Sequence, residues 1–340
     1  MPLSLADIYA ARKTIAGTVI RTPLIPSPYM SGVCGHDFLL KLENTQPIGA
    51  FKLRGAANAV MQLPPDTPGV TCCSTGNHGR GVAYAAKKRG MKAVICMSSL
   101  VPQTKIDGIR ALGADVCIIG KSQDDAFAES QRLAAGEGYV EISPFDDPHV
   151  IAGQGTIGLE VMEQRPDLEA ILVPLSGGGL AAGIAVAAKA IKPDIRIVGI
   201  SMDRGAAMDA SIKAGKPVEV EEVVSLADSL GGGIGMENRL SFPLCKALLD
   251  EVVLVSEAEI YSAMQALYYE DRIVAEGASV VGLAAVLSGK VALAGPAATI
   301  VTGRNVDMTV FTDIICGRDA DLGGVAIEGR IWQPGGAHGQ

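Results

Sequence analysis

The sequence predicts an α/β fold of two interlocked, open and twisted sheets whose strands are mainly parallel. Short apolar runs alternate along the chain with longer segments of helical periodicity, which is typical of βαβ units. The apolar runs are nearly continuous, as in strands that are buried on both faces. Glycine and alanine are abundant and aromatic residues make up only 4% of the chain, which favours close packing of helices on sheets.

Eight apolar runs are predicted to be strands: residues 38–42, 70–73, 93–97, 115–119, 170–174, 196–200, 251–255 and 299–301. Helical patterns lie between them, at residues 79–89, 103–111, 123–136, 179–191 and 257–269. The 340 residues suffice for two lobes, and no long linker divides them. We therefore expect lobes that interrupt one another, with a ligand cleft at the carboxyl ends of the strands.

The composition argues against several classes of protein. The net charge is −8 and no basic stripe is interleaved with aromatic residues, so nucleic-acid binding is disfavoured. The chain starts without a basic segment followed by an apolar one, so we expect no secretory signal. The most apolar stretch, residues 278–301, contains Lys290 and Pro296. We interpret it as a buried helix, a turn and a strand rather than a membrane span.

Cysteine and histidine usage bears on metals and on the cellular compartment. None of the seven cysteines forms a C-x-x-C pair, and the four histidines are far apart. We therefore expect no metal site. An odd number of cysteines without an export signal predicts reduced thiols in a cytoplasmic protein.

A glycine-rich turn stands between a predicted strand and a predicted helix, at Ser176-Gly177-Gly178-Gly179-Leu180. Exposed backbone N–H groups at a helix N-terminus can bind a phosphate, and the helix dipole favours its charge. The alternative is an ordinary tight turn that uses glycine for backbone freedom. Three consecutive glycines exceed what such a turn needs, so we favour phosphate binding.

A second glycine motif, Gly153-Gln154-Gly155-Thr156-Ile157-Gly158, matches the G-x-G-x-x-G pattern of nicotinamide-binding proteins. That pattern normally follows a buried strand and leads to a strand that ends in an acidic residue. Here the preceding apolar run is short, and the next strand ends in Pro174-Leu175-Ser176. An NAD-dependent oxidoreductase is therefore disfavoured.

Three further polar features have two interpretations each. Ser74-Thr75-Gly76-Asn77-His78 precedes a helical pattern and either clamps a carboxylate or caps the helix, and His78 alone would more often be a packed or capping residue. Thr302 ends a late strand and either meets a ligand ring or caps a turn. Glu276 is either a helix-cap charge or a residue of the cleft.

Lys52 lies between Phe51 and Leu53, with Gly49 and Gly55 three residues away on either side. Most lysines are solvated, and Arg54 two residues on favours an exposed face. A nucleophilic lysine instead needs a desolvated setting, which Phe51 and Leu53 would provide. The spacing alone does not decide between these interpretations.

Taken together, the motifs resemble the fold-type II pyridoxal-phosphate enzymes, in particular the threonine dehydratase and serine racemase group. The resemblance runs from about Leu5 to Gly317, and the order and spacing of the motifs match throughout. It rests on residues 42–44, 49–56, 74–79, 144–148, 152–156, 176–180 and 302–305. It implies the tryptophan synthase β-like fold and the cofactor pyridoxal 5'-phosphate.

The resemblance implies roles for residues around the cofactor. Lys52 matches the lysine that forms an imine with the cofactor aldehyde, and Phe51 matches the residue packed beside the ring. Asn77 matches the partner of the ring 3-hydroxyl, and Thr302 matches the partner of the ring nitrogen. The phosphate loop corresponds to Ser176, Gly177, Gly178, Gly179 and Leu180, and Glu276 is expected among the cofactor-binding residues.

The resemblance also implies how substrate is bound and converted. Ser74, Thr75, Gly76, Asn77 and His78 match the loop that closes on the substrate carboxylate. Lys52 and Thr75 are the expected catalytic residues, Lys52 for removal of the α-proton and Thr75 as an acid or base on the opposite face. The expected reaction is β-elimination from a hydroxy amino acid such as L-threonine or L-serine, which yields a 2-oxo acid and ammonia.

Four departures from the group leave other substrates and activities open. Ala50 replaces a usual serine, and Arg304 replaces a glycine near the ring nitrogen, where a cation in the cleft would alter substrate choice. These favour, as an alternative, a dehydratase-like enzyme of hydroxyectoine and ectoine breakdown. Thr75 replaces the serine of racemases, and its hydroxyl keeps racemase activity open. Ser201 replaces a metal-binding glutamate.

The resemblance finally implies a domain organisation. We expect residues 1–68 and 149–325 to form a large cofactor-binding domain, residues 69–148 a small mobile domain, and residues 326–340 a tail that frays at its end. Relatives of this group are commonly dimers or tetramers, so a homo-oligomer is expected. The expected ligand is a small amino acid, without nucleic-acid or membrane partners.

Overall fold

The computed structural model describes residues 3–74, 76–101 and 103–333. Its helices are α1 (Leu5–Thr14), α2 (Pro28–Cys34), α3 (Lys52–Met61), α4 (Asn77–Arg89), α5 (Gln103–Ala111), α6 (Gln123–Glu137), α7 (Pro148–Gln164), α8 (Gly179–Ile191), α9 (Ala207–Ala214), α10 (Ser241–Leu248), α11 (Glu257–Asp271), α12 (Val281–Leu287) and α13 (Met308–Ile315). Its strands are β1 (Leu24–Pro26), β2 (Phe38–Leu42), β3 (Val70–Cys73), β4 (Ala93–Met97), β5 (Asp115–Ile118), β6 (Val140–Glu141), β7 (Ala170–Pro174), β8 (Arg196–Met202), β9 (Glu251–Val255), β10 (Ala297–Val301), β11 (Ala320–Asp321) and β12 (Ala326–Ile327). Short 3-10 helices span Glu43–Thr45, Asp228–Leu230 and Gly277–Ser279.

Ten of the twelve strands in the described residues form two mainly parallel sheets, which confirms the predicted α/β fold, and β11 and β12 form a separate antiparallel pair. The larger sheet has the order β1-β2-β10-β7-β8-β9, and only its edge strand β1 is antiparallel to its neighbour. The smaller sheet has the order β5-β4-β3-β6 and is parallel throughout. It lies in the chain between β2 and β7 of the larger sheet, so the two sheets are interlocked.

The larger sheet is buried on both faces. Leu39, Ile171 and Ile197 pack in one core with residues of α1, α7 and α8. Leu40 and Leu172, their neighbours along the strands, pack in the opposite core with residues of α11 and α12. Successive side chains of a strand point to opposite faces, so a sheet covered by helices on both sides needs continuous apolar runs.

The smaller sheet falls within residues 69–148, the segment predicted as a small domain. One face packs on α3 and α4 and the other on α6. The division into domains and the mobility of this segment stay predictions. In the predicted tail, Ile327 and Trp332 are buried and the indole Nε1 of Trp332 donates to Glu270 at 2.8 Å, while residues 334–340 lie outside the described part.

The predicted strands match the structure closely. Five of them coincide with β2, β3, β4, β7 and β9. The others differ by one or two residues at one end: β5 ends earlier than predicted, β8 ends later, and β10 begins earlier. Residues 278–301 contain α12 and β10, as interpreted, and no helix of the described chain is both long and apolar enough to cross a bilayer.

The G-x-G-x-x-G segment, residues 153–158, lies in the middle of α7 and is buried. Its glycines allow close helix packing. A Cβ on Gly153 would stand 2.5 Å from the carbonyl oxygen of Arg54 in α3, and one on Gly158 would stand 2.8 Å from that of Ile184 in α8. The motif therefore supplies no phosphate-binding turn, which argues further against a nicotinamide enzyme.

Candidate active site

A cavity of about 250 Å³ lies where the carboxyl ends of strands from both sheets meet. Its walls bring together almost all the site residues that the sequence predicts: Phe51, Lys52, Ser74, Gly76, Asn77, His78, Ser176, Gly177, Gly178, Gly179, Leu180 and Thr302. Glu276 lines an adjoining cavity and is hydrogen-bonded to Asn77. Thr75 lies outside the described residues.

Lys52 is the first residue of α3, and the start of this helix is tied to the end of β10. The amide of Phe51 donates to the carbonyl of Thr302 at 2.9 Å, and Ala50 forms a β-bridge with Gly303. The Nζ of Lys52 donates to the carbonyl oxygen of Pro144 at 2.8 Å. Burial lowers the pKa of Lys52 to about 8, although the Glu276 carboxylate partly opposes this effect. A substantial fraction of Lys52 is therefore neutral and nucleophilic near pH 7 to 8.

The glycine loop after β7 has the form of an anion cradle. Gly178 has φ = +89°, a conformation that favours glycine, and it directly precedes α8. A Cβ on Gly177 would overlap the Phe145 ring, and one on Gly179 would stand 2.8 Å from the Phe145 carbonyl oxygen. Glycine at both positions lets Phe145 pack against the loop, and it leaves the amides at the N-terminus of α8 without side chains of the loop over them. The loop therefore suits a phosphate group.

Asn77 and Glu276 form a hydrogen-bonded pair beside the cavity. The Nδ2 of Asn77 donates to both Glu276 carboxylate oxygens, at 3.0 and 3.2 Å. The Oδ1 of Asn77 accepts from the Nδ2 of Asn305 at 2.6 Å. The Ser229 hydroxyl also donates to Glu276 at 3.2 Å. Burial raises the pKa of Glu276 to about 7, so its charge is partial at neutral pH.

Thr302 directly follows β10 and is buried in the cavity wall. Its Oγ1 lies 2.9 Å from the hydroxyl of Ser279, which donates in turn to the carbonyl of Gly303 at 2.9 Å. These contacts fix the Thr302 hydroxyl without placing an ionised group beside it. Thr302 therefore offers a neutral hydrogen-bonding partner to whatever fills the cavity.

His78 is buried in the first turn of α4. One ring nitrogen, Nε2, lies 2.7 Å from the carbonyl oxygen of Ile142, to which it donates when protonated. Burial, with the Lys52 charge as a second cause, lowers the pKa of His78 to about 3. The imidazole is therefore neutral at physiological pH, in agreement with a packed residue.

Arg54 does not lie on an exposed face, which corrects the sequence-based interpretation. It is fully buried and pairs with Glu43 at 2.7 Å and with Glu160 at 2.7 Å. Lys41, also buried, pairs with Glu160 at 2.6 Å. Two cations and two carboxylates thus neutralise one another in the interior, which is how buried charges are tolerated. Arg54 follows Lys52 by two residues, so the network lies on the opposite side of the start of α3 and holds it in place.

Two departures from the resembling group also have structural explanations. Arg304 does not extend into the cavity, contrary to expectation: its side chain is exposed and lies against Gly49. The reason is that its amide pairs with the Gly49 carbonyl at 2.9 Å, which continues the bridge between these segments along the surface. Ser201 is buried in β8, and the described residues contain no cluster of three His, Cys, Asp or Glu side chains suited to a metal.

Several cavity residues were not predicted as site residues. Phe145, Ser229, Leu230 and Gly231 line the cavity, and Asn305 reaches Asn77. Residues 144–148 and 302–305 stand among the motifs of the resemblance, which is the signal that could have identified Phe145 and Asn305. Residues 229–231 belong to no motif, and only the folded chain brings them to the cavity.

The cavity fits pyridoxal 5'-phosphate in its chemistry. The glycine loop places no side chains of its own over the amides at the start of α8, and Lys52 provides an amine of lowered pKa at the same cavity. Phe51, Asn77 and Thr302 provide an apolar face and hydrogen-bonding groups around a ring. The donor set therefore matches the three parts of this cofactor: its phosphate, its aldehyde and its polar ring.

Comparisons with known proteins agree with this site. The family described as pyridoxal-phosphate dependent enzyme matches residues 15–303. A Sinorhizobium fredii relative with a provisional threonine dehydratase name is 55% identical over 318 residues, covering 93% of this chain and 96% of the relative. The L-threonine ammonia-lyase of Thermotoga maritima is 40% identical over 315 residues, covering 92% and 78%. The solved structure of maize serine racemase superposes with a TM-score of 0.87 at 33% identity, covering 92% of this chain and 97% of that one. The chain belongs to the pyridoxal-phosphate dependent enzyme family.

Proposed function

We propose that this enzyme is an ammonia-lyase that eliminates water from a β-hydroxy amino acid such as L-threonine or L-serine. The products are a 2-oxo acid and ammonia. The observation that carries the proposal is the Lys52 amine, which is held at the cavity with a pKa lowered to about 8. The names of the relatives, threonine dehydratase and L-threonine ammonia-lyase, agree with it.

Lys52 would both anchor the cofactor and move the α-proton. When bound, pyridoxal phosphate supplies an electron-withdrawing ring that makes the substrate α-proton acidic. The neutral Nζ of Lys52 takes that proton, and its lowered pKa suits a base that works near neutral pH. The Pro144 carbonyl accepts a single hydrogen bond from the same nitrogen and carries no charge. The amine can exchange this one neutral contact for a contact with substrate.

The other cavity residues would orient the reactants. The backbone amides of residues 177–180 and the N-terminus of α8 would hold the phosphate. Phe51 would cover one face of the ring, while Asn77 and Thr302 bond its polar atoms and Glu276 fixes Asn77. Ser74, Thr75, Gly76, Asn77 and His78 would bind the substrate carboxylate. Because His78 is neutral, hydroxyl and N–H groups rather than a cation would supply that contact.

Two alternatives at the same site differ in substrate or outcome. The first is a dehydratase of hydroxyectoine or ectoine breakdown. Of the two departures that favoured it, only Ala50, which replaces the usual serine, still supports it, because Arg304 does not extend into the cavity. The second is an amino-acid racemase, which is favoured by the similarity to maize serine racemase. For a racemase, Thr75→Ala should abolish racemisation and spare elimination.

Assembly and location follow from the same proposal. We expect a cytoplasmic homo-oligomer, either a dimer or a tetramer, since relatives of this group are commonly so assembled. Light scattering on a size-exclusion column distinguishes these assemblies. A monomer at micromolar concentration would contradict this part of the proposal.

The reaction is tested by incubating the holoenzyme with L-threonine, L-serine and hydroxyectoine in turn. Release of 2-oxo acid and ammonia in equal amounts from the first two supports the proposal. Turnover of hydroxyectoine alone would favour the osmolyte alternative. Inversion at the α-carbon without ammonia would favour the racemase.

A further inference from the structure

A second cavity, of about 490 Å³, opens directly from the candidate active site. The two cavities share Ser74, Gly76, Asn77 and Ser229. A substrate whose carboxylate is held at residues 74 and 76–78 would therefore lie at the entrance to this second space. The methyl and hydroxyl groups of threonine would leave most of that space empty.

The walls of the second cavity are strongly charged. Arg80 and Lys105 contribute cations, while Glu222, Asp228, Glu276 and Asp307 contribute carboxylates. Walls of this kind do not suit an apolar side chain, since apolar ligands favour apolar linings. The second cavity thus suits a substrate with a charged group at the far end of its side chain.

Most of these charges already have partners. The Asp307 carboxylate caps α13 by accepting from the amides of Thr309 and Val310, at 2.7 and 3.3 Å. Burial raises the pKa of Asp228, and the Lys105 cation partly opposes this effect. The capping amides lower the pKa of Asp307, with a smaller contribution from Lys105. Glu276 accepts from Asn77 and Ser229. Glu222 is exposed to solvent. The carboxylates of this cavity are therefore capped, balanced or hydrated.

Arg80 differs from the other charged groups. Its Nε is shielded from solvent and has no hydrogen-bond acceptor among residues 3–74, 76–101 and 103–333. Burial lowers the pKa of Arg80, with no carboxylate of the described chain to offset it. The rest of the side chain is only partly buried, but a shielded N–H donor without an acceptor is itself costly unless a ligand supplies one. The planar guanidinium donors match a carboxylate particularly well.

The position of Arg80 sets the distance to the reacting centre. Arg80 lies three residues after Asn77 in α4, so the two side chains project from the same face, one helical turn apart. Gly108 of α5 leaves room for the guanidinium, whose Nη1 lies 3.0 Å from where a Cβ would stand. A ligand bound at residues 74–78 can therefore reach Arg80 with a short side chain.

We propose that Arg80 forms a subsite for a second carboxylate, and that the enzyme acts on hydroxy amino acids whose side chain ends in one. This inference rests on the proposed ammonia-lyase function and specifies its substrate class. With 3-hydroxyaspartate, loss of the α-hydrogen and β-hydroxyl as water gives an enamine. Its imine form takes up one water and releases ammonia, so the net products are oxaloacetate and ammonia.

Kinetics of the holoenzyme with matched substrates test the subsite. We expect kcat/KM for 3-hydroxyaspartate to exceed that for serine. The ratio of the two values should fall about 10- to 100-fold in Arg80→Gln, as for the loss of a charge-assisted hydrogen bond. Arg80→Lys should restore part of the ratio. Arg110→Gln is the control, because Arg110 is an exposed cation of α5 that lies outside the walls described for this cavity.

Two results would overturn the subsite. One is an equal loss for both substrates in Arg80→Gln, which would indicate a structural role. The other is a preference for 3-hydroxy-2,4-diaminobutyrate, in which an ammonium replaces the distal carboxylate, since the acidic wall would then be the recognition element.

A binding measurement separates this inference from the proposed function. L-Aspartate and L-alanine lack the β-hydroxyl and cannot eliminate water. Calorimetry should show that the holoenzyme prefers aspartate and that Arg80→Gln loses this preference. If that holds while no hydroxy amino acid is turned over, the ammonia-lyase proposal fails and the subsite stands. If serine is turned over but aspartate is not preferred, the ammonia-lyase proposal stands and the subsite fails.

Discussion

The amine of Lys52 donates a hydrogen bond to the carbonyl oxygen of Pro144 at 2.8 Å. Lys52 begins α3, next to the end of β10 in the larger sheet, whereas Pro144 closely follows β6 of the smaller one. The acceptor is neutral, so this contact positions the amine without the charge stabilisation that a carboxylate would add. Lys52 is thereby held across the cleft and remains easy to deprotonate.

The first prediction concerns the titration of Lys52. In the cofactor-free protein, acylation of this amine by acetic anhydride should rise with pH and level off just above pH 8, where the amine is neutral. Lys13, which is exposed in α1, serves as the reference amine. Peptide mass spectrometry follows both sites in one sample. A Lys52 profile that coincides with that of Lys13 would contradict the burial of the amine.

The second prediction concerns stability and Glu276. Its pKa is about 7 in the folded protein against 4.5 for the ordinary group, so between these values the folded state holds a proton that the unfolded state releases. Protonated Glu276 therefore stabilises the fold below pH 4.5. About 3 kcal/mol of this stabilisation is lost as the pH rises to 7. The melting temperature of the cofactor-free wild type should fall relative to Glu276→Gln between pH 5 and pH 8. Parallel melting curves across that range would show that Glu276 ionises normally.

The third prediction concerns the glycine loop. Gly177→Ala places a methyl group on the Phe145 ring, so the ring or the loop must shift and the cavity wall changes shape. We expect the dissociation constant for pyridoxal phosphate to rise at least about tenfold, which corresponds to roughly 1.4 kcal/mol. Equilibrium dialysis measures it. Gly136→Ala is the control, because a Cβ there meets nothing within 4 Å. Equal affinities in the two variants would refute the cradle.

The fourth prediction compares a buried and an exposed ion pair. Arg54→Met leaves Glu43 buried without a cationic partner and Glu160 with Lys41 alone, and should lower the free energy of unfolding by about 3–5 kcal/mol. Arg12→Met removes one of the two cations that pair with Glu163 at the surface and should cost about 1 kcal/mol or less. Urea unfolding of both variants gives the comparison. Similar losses would mean that the buried network contributes no more than a surface pair.

The sequence predicts the central strands well for a physical reason. Strands covered by helices on both faces need continuous apolar runs, and β2, β3, β4, β7 and β9 have them. The edge strands β1 and β6 span three and two residues, too short for any periodicity to appear. Their pairing depends on neighbours that only the folded chain provides.

Helix α7 shows where local pattern misleads. Glycines at positions 153, 155 and 158 favour a turn on propensity alone. In the structure they are the contact surface on which α3 and α8 pack closely, since larger side chains would collide with backbone there. Tertiary packing thus overrides a local preference that is weak by comparison.

The sequence predicts site residues that directly follow strands. It does not predict contacts between residues that are far apart along the chain. The loops at residues 74–78 and 176–180 follow parallel strands, whose carboxyl ends share one edge of a sheet. Arg54 was misjudged because its partners are 11 residues before it and 106 residues after it. No spacing rule connects such positions, so a charge that normally favours water was assigned to the surface.

The most direct test of the central claim is the visible absorption spectrum of the protein loaded with pyridoxal phosphate, compared with Lys52→Ala loaded in the same way. Lys13→Ala, which removes an exposed lysine of α1, is the control. If Lys52 is the residue that joins the cofactor, the wild type and Lys13→Ala share a visible band that survives dialysis, and Lys52→Ala lacks it. A dialysis-resistant band of unchanged position in Lys52→Ala would contradict the role of Lys52 and the mechanism built on it.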